Sequence, residues 1–232
     1  MALILQLESS TDICSVAISR DGRTLHTISS DQPNSHSAQM TILIQQCLVG
    51  AGISIGELDA VSVSDGPGSY TSLRVGISTA KGICYAIQCP LIAIDSLSIL
   101  TAGLIQSKMI HRDDLVIPMI DARRMEVYSC IFDAFGRRLS DIAAMVLDDH
   151  SFVDLFLVEK NIHLCGSGAE KYYKSYKNHL MQLHFNTTSA AFMTTLSHSA
   201  YEMKEFRNVA YYSPNYFKAP NITKSLKNLF DN

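Results

Sequence analysis

Two acidic residues occupy matching points of two similar stretches. Glu8 ends the apolar run that begins at Leu3 and is followed by Ser9-Ser10-Thr11, and Asp121 ends a run beginning at Leu115 and is followed by Ala122-Arg123-Arg124. A carboxylate at the end of a buried strand, beside small residues whose amides are open, can hold a metal on phosphates. Arg123 and Arg124 would crowd such a cradle, although guanidinium groups contact anions directly. A third segment, Ser64-Asp65-Gly66-Pro67-Gly68-Ser69-Tyr70-Thr71, joins a strand-like run to a helical pattern, and a helix N-terminus attracts an anion. Glu8, Ser9, Ser10, Gly66, Gly68, Ser69 and Asp121 are therefore the candidates for a nucleotide or phosphate loop, read as vestigial. The third segment is not a Walker A loop, because no lysine follows its last glycine, and Ser69 lacks the frame of a nucleophile elbow. The same residues also make a tight strand-to-helix connection, with Ser69 or Thr71 as the cap, and both readings stay open.

Metal and thiol chemistry are less well provided for. No two of the eight histidines stand four apart on a helix and H-E-x-x-H is absent, which removes zincin-type hydrolysis, so neither metal ligands nor catalytic residues are assigned. His36, after Asn34-Ser35 at a helix start, reads as a capping or packing residue. The six cysteines are scattered without C-x-x-C and read as reduced, mostly buried thiols.

The elements that must position these residues fall into two series. Leu3 to Leu25 reads strand, acid, turn, strand, then Asp21-Gly22 as a hairpin turn into a third strand. Leu115 to Leu139 repeats strand, acid, turn, strand, with a turn ending at Gly136-Arg137. Either any two meanders look alike, or the chain contains an internal duplication. Helices are expected over His36–Val49, Thr71–Gln88 and Ser96–Gln106, and strands over Asp59–Ser64 and Leu91–Ile94. In the second series a helix is expected over 151–158, a strand over Asn161–Cys165, and helices over Ala169–Lys177 and Ser189–Arg207. The expected fold is α/β, with two subdomains of β-β-β-α-β-α type at 1–108 and 109–232. Which of them the last helix packs on is left open.

The 232 residues, 47% hydrophobic and 18% charged with a net charge of −3, describe an ordered chain without the basic surface of a non-specific nucleic-acid binder. No signal peptide or membrane span is read, so the expected location is cytoplasmic.

Two helices carry more apolar surface than one core requires. Met40, Leu43, Ile44, Cys47 and Leu48 form a stripe on the first, yet Ile42 and Val49 lie elsewhere and no side chain from residue 37 to 49 is charged. The second has Ser72, Gly76, Thr79, Ala80 and Gly82 among apolar residues, although a helical glycine costs about 1 kcal/mol relative to alanine. Met40, Ile44, Leu48, Ser72, Gly76, Thr79, Ala80 and Ile83 are the expected partner or dimer contacts. A bulky charge at Gly76 or Ala80 is expected to abolish association and leave the monomer folded.

The paired hairpins resemble the actin, sugar-kinase and Hsp70 superfamily (ASKHA, ribonuclease H-like). More narrowly, LESSTDICSVAISRDG, NSHSAQ, SDGPGSYTSLRVGISTAKGICYA and IDARRMEVYSCIFDAFG together resemble the bacterial TsaB family, also called YeaZ, over residues 1 to about 136. CGSGAEKYY and SPNYFKAP are weaker echoes. The resemblance implies an actin-like fold and a non-catalytic scaffold for TsaD, the paralogue that transfers threonylcarbamoyl to the adenosine beside the anticodon in tRNAs reading codons that start with A. It implies a TsaD homologue and a TsaE-type ATPase as partners, a homodimer when alone, and tRNA met only through the complex. No cofactor is then required by this chain, ATP or ADP with magnesium being confined to the partner complex. The alternative is an ATP-dependent phosphotransferase or hydrolase using Glu8 and Asp121 around Mg²⁺; a metallopeptidase is a weaker third.

Overall fold

The computed structural model describes residues 1–108, 110–157 and 159–218. β1 (Leu3–Glu8), β2 (Ser15–Arg20) and β3 (Arg23–Ser29) form an antiparallel meander, to which β4 (Ala60–Ser64) and β5 (Leu91–Ile94) add in parallel, giving the order β3-β2-β1-β4-β5. Asp21 and Gly22 both adopt positive φ, 49° and 75°, which a two-residue hairpin with the strands' own twist demands. Every residue of β1 is buried, because both faces of this sheet are covered. Leu3, Leu5 and Leu7 meet α1 (His36–Ala51) and α2 (Tyr70–Ile87), while Ile4 packs with Ala200 on the opposite face.

The second sheet repeats the five-strand order of the first and carries one further short strand. β6 (Leu115–Asp121), β7 (Glu126–Ser129) and β9 (Ala143–Val146) form its meander, and β10 (Ile162–Cys165) and β11 (Met181–His184) add in parallel, in the order β9-β7-β6-β10-β11. A common order of this kind is what a duplicated unit produces, and it places Glu8 and Asp121 at the ends of equivalent strands. One detail of the expected repeat is corrected. The Gly136 turn does not lead into the third meander strand; it follows β8 (Phe132–Asp133), a short piece paired with β6, and the third strand arrives only at Ala143.

The helices differ more between the halves. The expected helix over 151–158 shrinks to α4 (Val153–Phe156), and residue 158 lies outside the described residues, as does the end of the SPNYFKAP stretch. α5 spans Ala169–Ser175, and the last helical pattern resolves into a 3-10 turn at Ala190–Met193 and α6 (Thr194–Glu202). α3 (Ser96–Ser107) lays Leu97, Leu100 and Leu104 against Val116 and Ile120 of β6, so it joins the halves. α6 returns to the first sheet, where Ser197 and Ser62 hydroxyls bond at 2.8 Å. Among the described residues no helix is long and apolar enough to cross a membrane.

Candidate functional site

Two places collect the residues singled out in the sequence: a cleft between the hairpins, and the outer sides of α1 and α2. Ser10, Gly68, Ser69 and Asp121 line the cleft together with Thr11, Arg123 and Ser167. Glu8 and Ser9 lie buried beneath it, and Gly66 is turned away, against Leu73 and the backbone of Asn215.

The chemistry at the cleft floor follows from burial. Glu8 is fully enclosed, and its Oε1 accepts from the Ser10 amide and hydroxyl at 2.6 Å each. Among the described residues its Oε2 has no hydrogen-bond partner. Loss of hydration outweighs the Ser10 donors and raises the carboxyl above its ordinary 4.5, favouring the neutral acid. Asp121 is partly exposed but already engaged: its Oδ1 accepts from the Arg123 amide and lies 3.1 Å from Lys171 Nζ. Lys171 in turn donates to the Arg124 and Glu126 carbonyls. A buried carboxyl disposed to keep its proton and a carboxylate beside an ammonium do not fit a magnesium ion, and among the described residues no three His, Cys, Asp or Glu side chains converge on a metal position.

Nor is the loop before α2 an open cradle. The Ser69 amide donates to the Ser10 carbonyl at 2.8 Å, and Gly68 lies so close that a β-carbon there would stand 2.2 Å from that oxygen. Ser69 occupies the N-cap position of α2, but its hydroxyl accepts from Ser72 Oγ at 2.9 Å and makes no cap to the backbone. The loop is therefore docked on the β1–β2 turn. Gly76, in the second turn of α2, has the same cause: a β-carbon would meet Ser9 Oγ at 2.1 Å. His36 is buried at the start of α1.

A feature that the sequence marks through SPNYFKAP but does not place is the segment 208–218, which runs along α2 and over the cleft. Lys81 donates to the carbonyls of Ala210 and Tyr212, Asn215 donates to Asp65 Oδ2 at 2.8 Å, and Arg74 donates to the Tyr216 hydroxyl at 2.9 Å. Tyr216 lies on Tyr70 with centroids 4.6 Å apart, and Lys218 pairs with Glu126 of the second sheet.

The outer sides of α1 and α2 correct the expected contact set. Met40, Ile44, Ser72, Gly76 and Ala80 are buried within this chain, and Leu48, Thr79 and Ile83 are half-buried. A bulky charge at Gly76 or Ala80 would thus break the monomer's own core. Facing outward are Ala38, Thr41, Ile42, Gln45, Gln46 and Val49 of α1 and, toward the end of α2, Ser78, Gly82, Tyr85 and Ala86, while its first turns expose Tyr70, Thr71 and the cationic Arg74. Val49 and Tyr85 each expose 76% of their surface, and α1 shows no Asp, Glu, Lys or Arg anywhere along its length.

The state of Glu8 gives a pH signature. A carboxyl whose folded pKa lies above its unfolded value binds more protons in the folded state, so stability falls as pH rises from the unfolded value through the folded one. Glu8→Gln is expected to reduce the wild-type fall in urea midpoint between about pH 5 and about pH 8, and to be the more stable of the two at the upper end. An equal fall in both proteins would show that Glu8 is not the buried acid responsible.

Residues 27–228 match the family model described as TsaD, tRNA N6-adenosine threonylcarbamoyltransferase. The chain is 32% identical over 125 residues to the tRNA threonylcarbamoyladenosine biosynthesis protein TsaB of Haemophilus influenzae, a match covering 54% of this chain and 51% of that protein. It is 38% identical over 112 residues to the tRNA N6-adenosine threonylcarbamoyltransferase of Lactiplantibacillus plantarum, covering 41% of this chain and 32% of that one. The matched segment thus spans about half the length of the TsaB relative and a third of the transferase. In structure it is similar to YeaZ from Pseudomonas aeruginosa, with a TM-score of 0.81 at 23% identity, covering 93% of this chain and all of that one, which shows that the two share a fold. The chain belongs to the family described as TsaD, tRNA N6-adenosine threonylcarbamoyltransferase.

Proposed function

We propose that this chain is a non-catalytic subunit in the formation of threonylcarbamoyladenosine in tRNA, and that it works by docking a TsaD homologue along the outer sides of α1 and α2. The observation that carries the reading is the uncharged, partly apolar outer side of α1, with Val49 and Tyr85 open to solvent, on a helix pair whose inner side already forms a complete core. The family's names supply the reaction class, and the cleft supports the absence of chemistry here: Glu8 is buried and Asp121 is held by Lys171. The phosphotransferase alternative needs both as free metal ligands and gains no support from this arrangement. A TsaE homologue joins the pair, tRNA is met through the complex in the cytoplasm, and the same surface serves a homodimer when the chain is alone.

The test is omission. The chain should co-purify with its cell's TsaD homologue, and a reconstituted tRNA-modification assay should lose nearly all product when the chain is left out. Equal product without it would remove the scaffold reading. Nucleotide turnover by the isolated chain, lost in Glu8→Ala, would instead restore the enzymatic one.

A further inference from the structure

Cys84 lies in the last turn of α2 and Cys89 just beyond Gln88, whose left-handed backbone, φ 56°, ends the helix. The Cys84 carbonyl accepts from the Gln88 amide and, at 3.2 Å, from the Cys89 amide. This six-to-one closure brings the backbones of Cys84 and Cys89 together, and a contact between the side chains of those two positions frequently accompanies it. A disulfide needs Cα atoms about 4.4–6.8 Å apart, a span compatible with one backbone hydrogen bond between the two residues.

The two sulfurs are not equivalent. Both are buried, but Cys84 is 1% exposed with its Sγ 3.5 Å from the Pro90 carbonyl, whereas Cys89 is 9% exposed and lies nearer the surface. The neighbouring thiols shift one another in opposite directions, Cys84 up and Cys89 below the ordinary thiol value. Burial alone pushes Cys165 up to about 12, and does most to raise Cys47 to about 11 and Cys130 to about 12, which keeps those thiols protonated.

We propose that Cys84 and Cys89 form a reversible redox site, oxidised to an intramolecular disulfide by hydrogen peroxide and returned by an external dithiol. The Cys89 thiolate attacks one peroxide oxygen; an S–O bond forms as the O–O bond breaks, and the departing hydroxide takes a proton to leave as water. The Cys84 sulfur then attacks the sulfenic sulfur; the S–S bond forms, the S–O bond breaks, and a second water carries off the remaining proton. Two thiols lose two electrons and two protons, and one peroxide becomes two waters. The bond pins the last turn of α2 beside Tyr85. It depends only on residues of this chain and not on the partner proposed above.

The reduced, folded chain is treated with hydrogen peroxide, alkylated with N-ethylmaleimide and digested with trypsin. Residues 82–108 form one tryptic peptide that holds both thiols. This peptide should lose two hydrogens, take no maleimide and regain two after dithiothreitol, and should do so at least about tenfold faster than Cys130 or Cys165 is lost to alkylation. In Cys84→Ser, Cys89 should stop at the sulfenic acid and take up dimedone. The site is overturned if the wild-type peptide keeps both alkylatable thiols until Cys130 and Cys165 are also oxidised. It is equally overturned if the linkage forms only after the chain is unfolded.

Discussion

Gly68→Ala is expected to cost about 3 kcal/mol of stability, the upper part of the range for overpacking a filled site, and to lower the thermal midpoint by several degrees. The reason is what lies opposite. A β-carbon at Gly68 stands 2.2 Å from the Ser10 carbonyl oxygen, and that oxygen is fixed by the Ser69 amide at 2.8 Å, so the clash is backbone against backbone. Relief requires the α2 loop to lift off the β1–β2 turn, which exposes Glu8 and Ser9 beneath. Gly76→Ala should cost less, because the nearest atom is Ser9 Oγ at 2.1 Å and a hydroxyl can rotate, although Ser9 Cβ at 3.0 Å still resists. Gly82→Ala, on the same helix with nothing within 4 Å of its added carbon, should stabilise by about 1 kcal/mol through helix propensity. Thermal melts of the three variants check the order, and a Gly68→Ala protein as stable as wild type would mean that the loop is not docked on Ser10.

These three glycines show where the sequence was legible and where it stopped. Periodicity located α1 and α2 to within two residues, and Asp21-Gly22 named its own hairpin, because such signals are local. β11 escaped: four residues at a sheet edge carry too little pattern to separate from a loop. The one apolar stripe of α1 was visible, and so were Ile42 and Val49 off it, but β2 and β3 claim the stripe from which partner contacts were also expected. Met40 and Ile44 are inside, and Ile42 and Val49 are left outside. The glycines marked close approach without saying to what. The strap at 208–218 could not be placed, since its bonds reach residues well over a hundred positions away, as Asn215 to Asp65 does.

Val49→Asp combined with Tyr85→Asp is expected to weaken association with the TsaD homologue, and homodimerisation, at least about a hundredfold. That is the loss of about 3 kcal/mol that removing a buried interface anchor brings. Each side chain is 76% exposed in the isolated chain, so the fold has no need of either and circular dichroism and melting should be unchanged. Each carboxylate would have to be desolvated against an apolar partner surface without a cation on α1 to meet it, a cost that grows with burial. Phe135→Asp is the control: it is 78% exposed on the turn after β8, away from both helices, and should leave affinity at the wild-type value. Calorimetric titration separates the cases. If the double variant binds as wild type does while Phe135→Asp fails, the partner sits on the second sheet's meander, and the uncharged side of α1 has some other occupant.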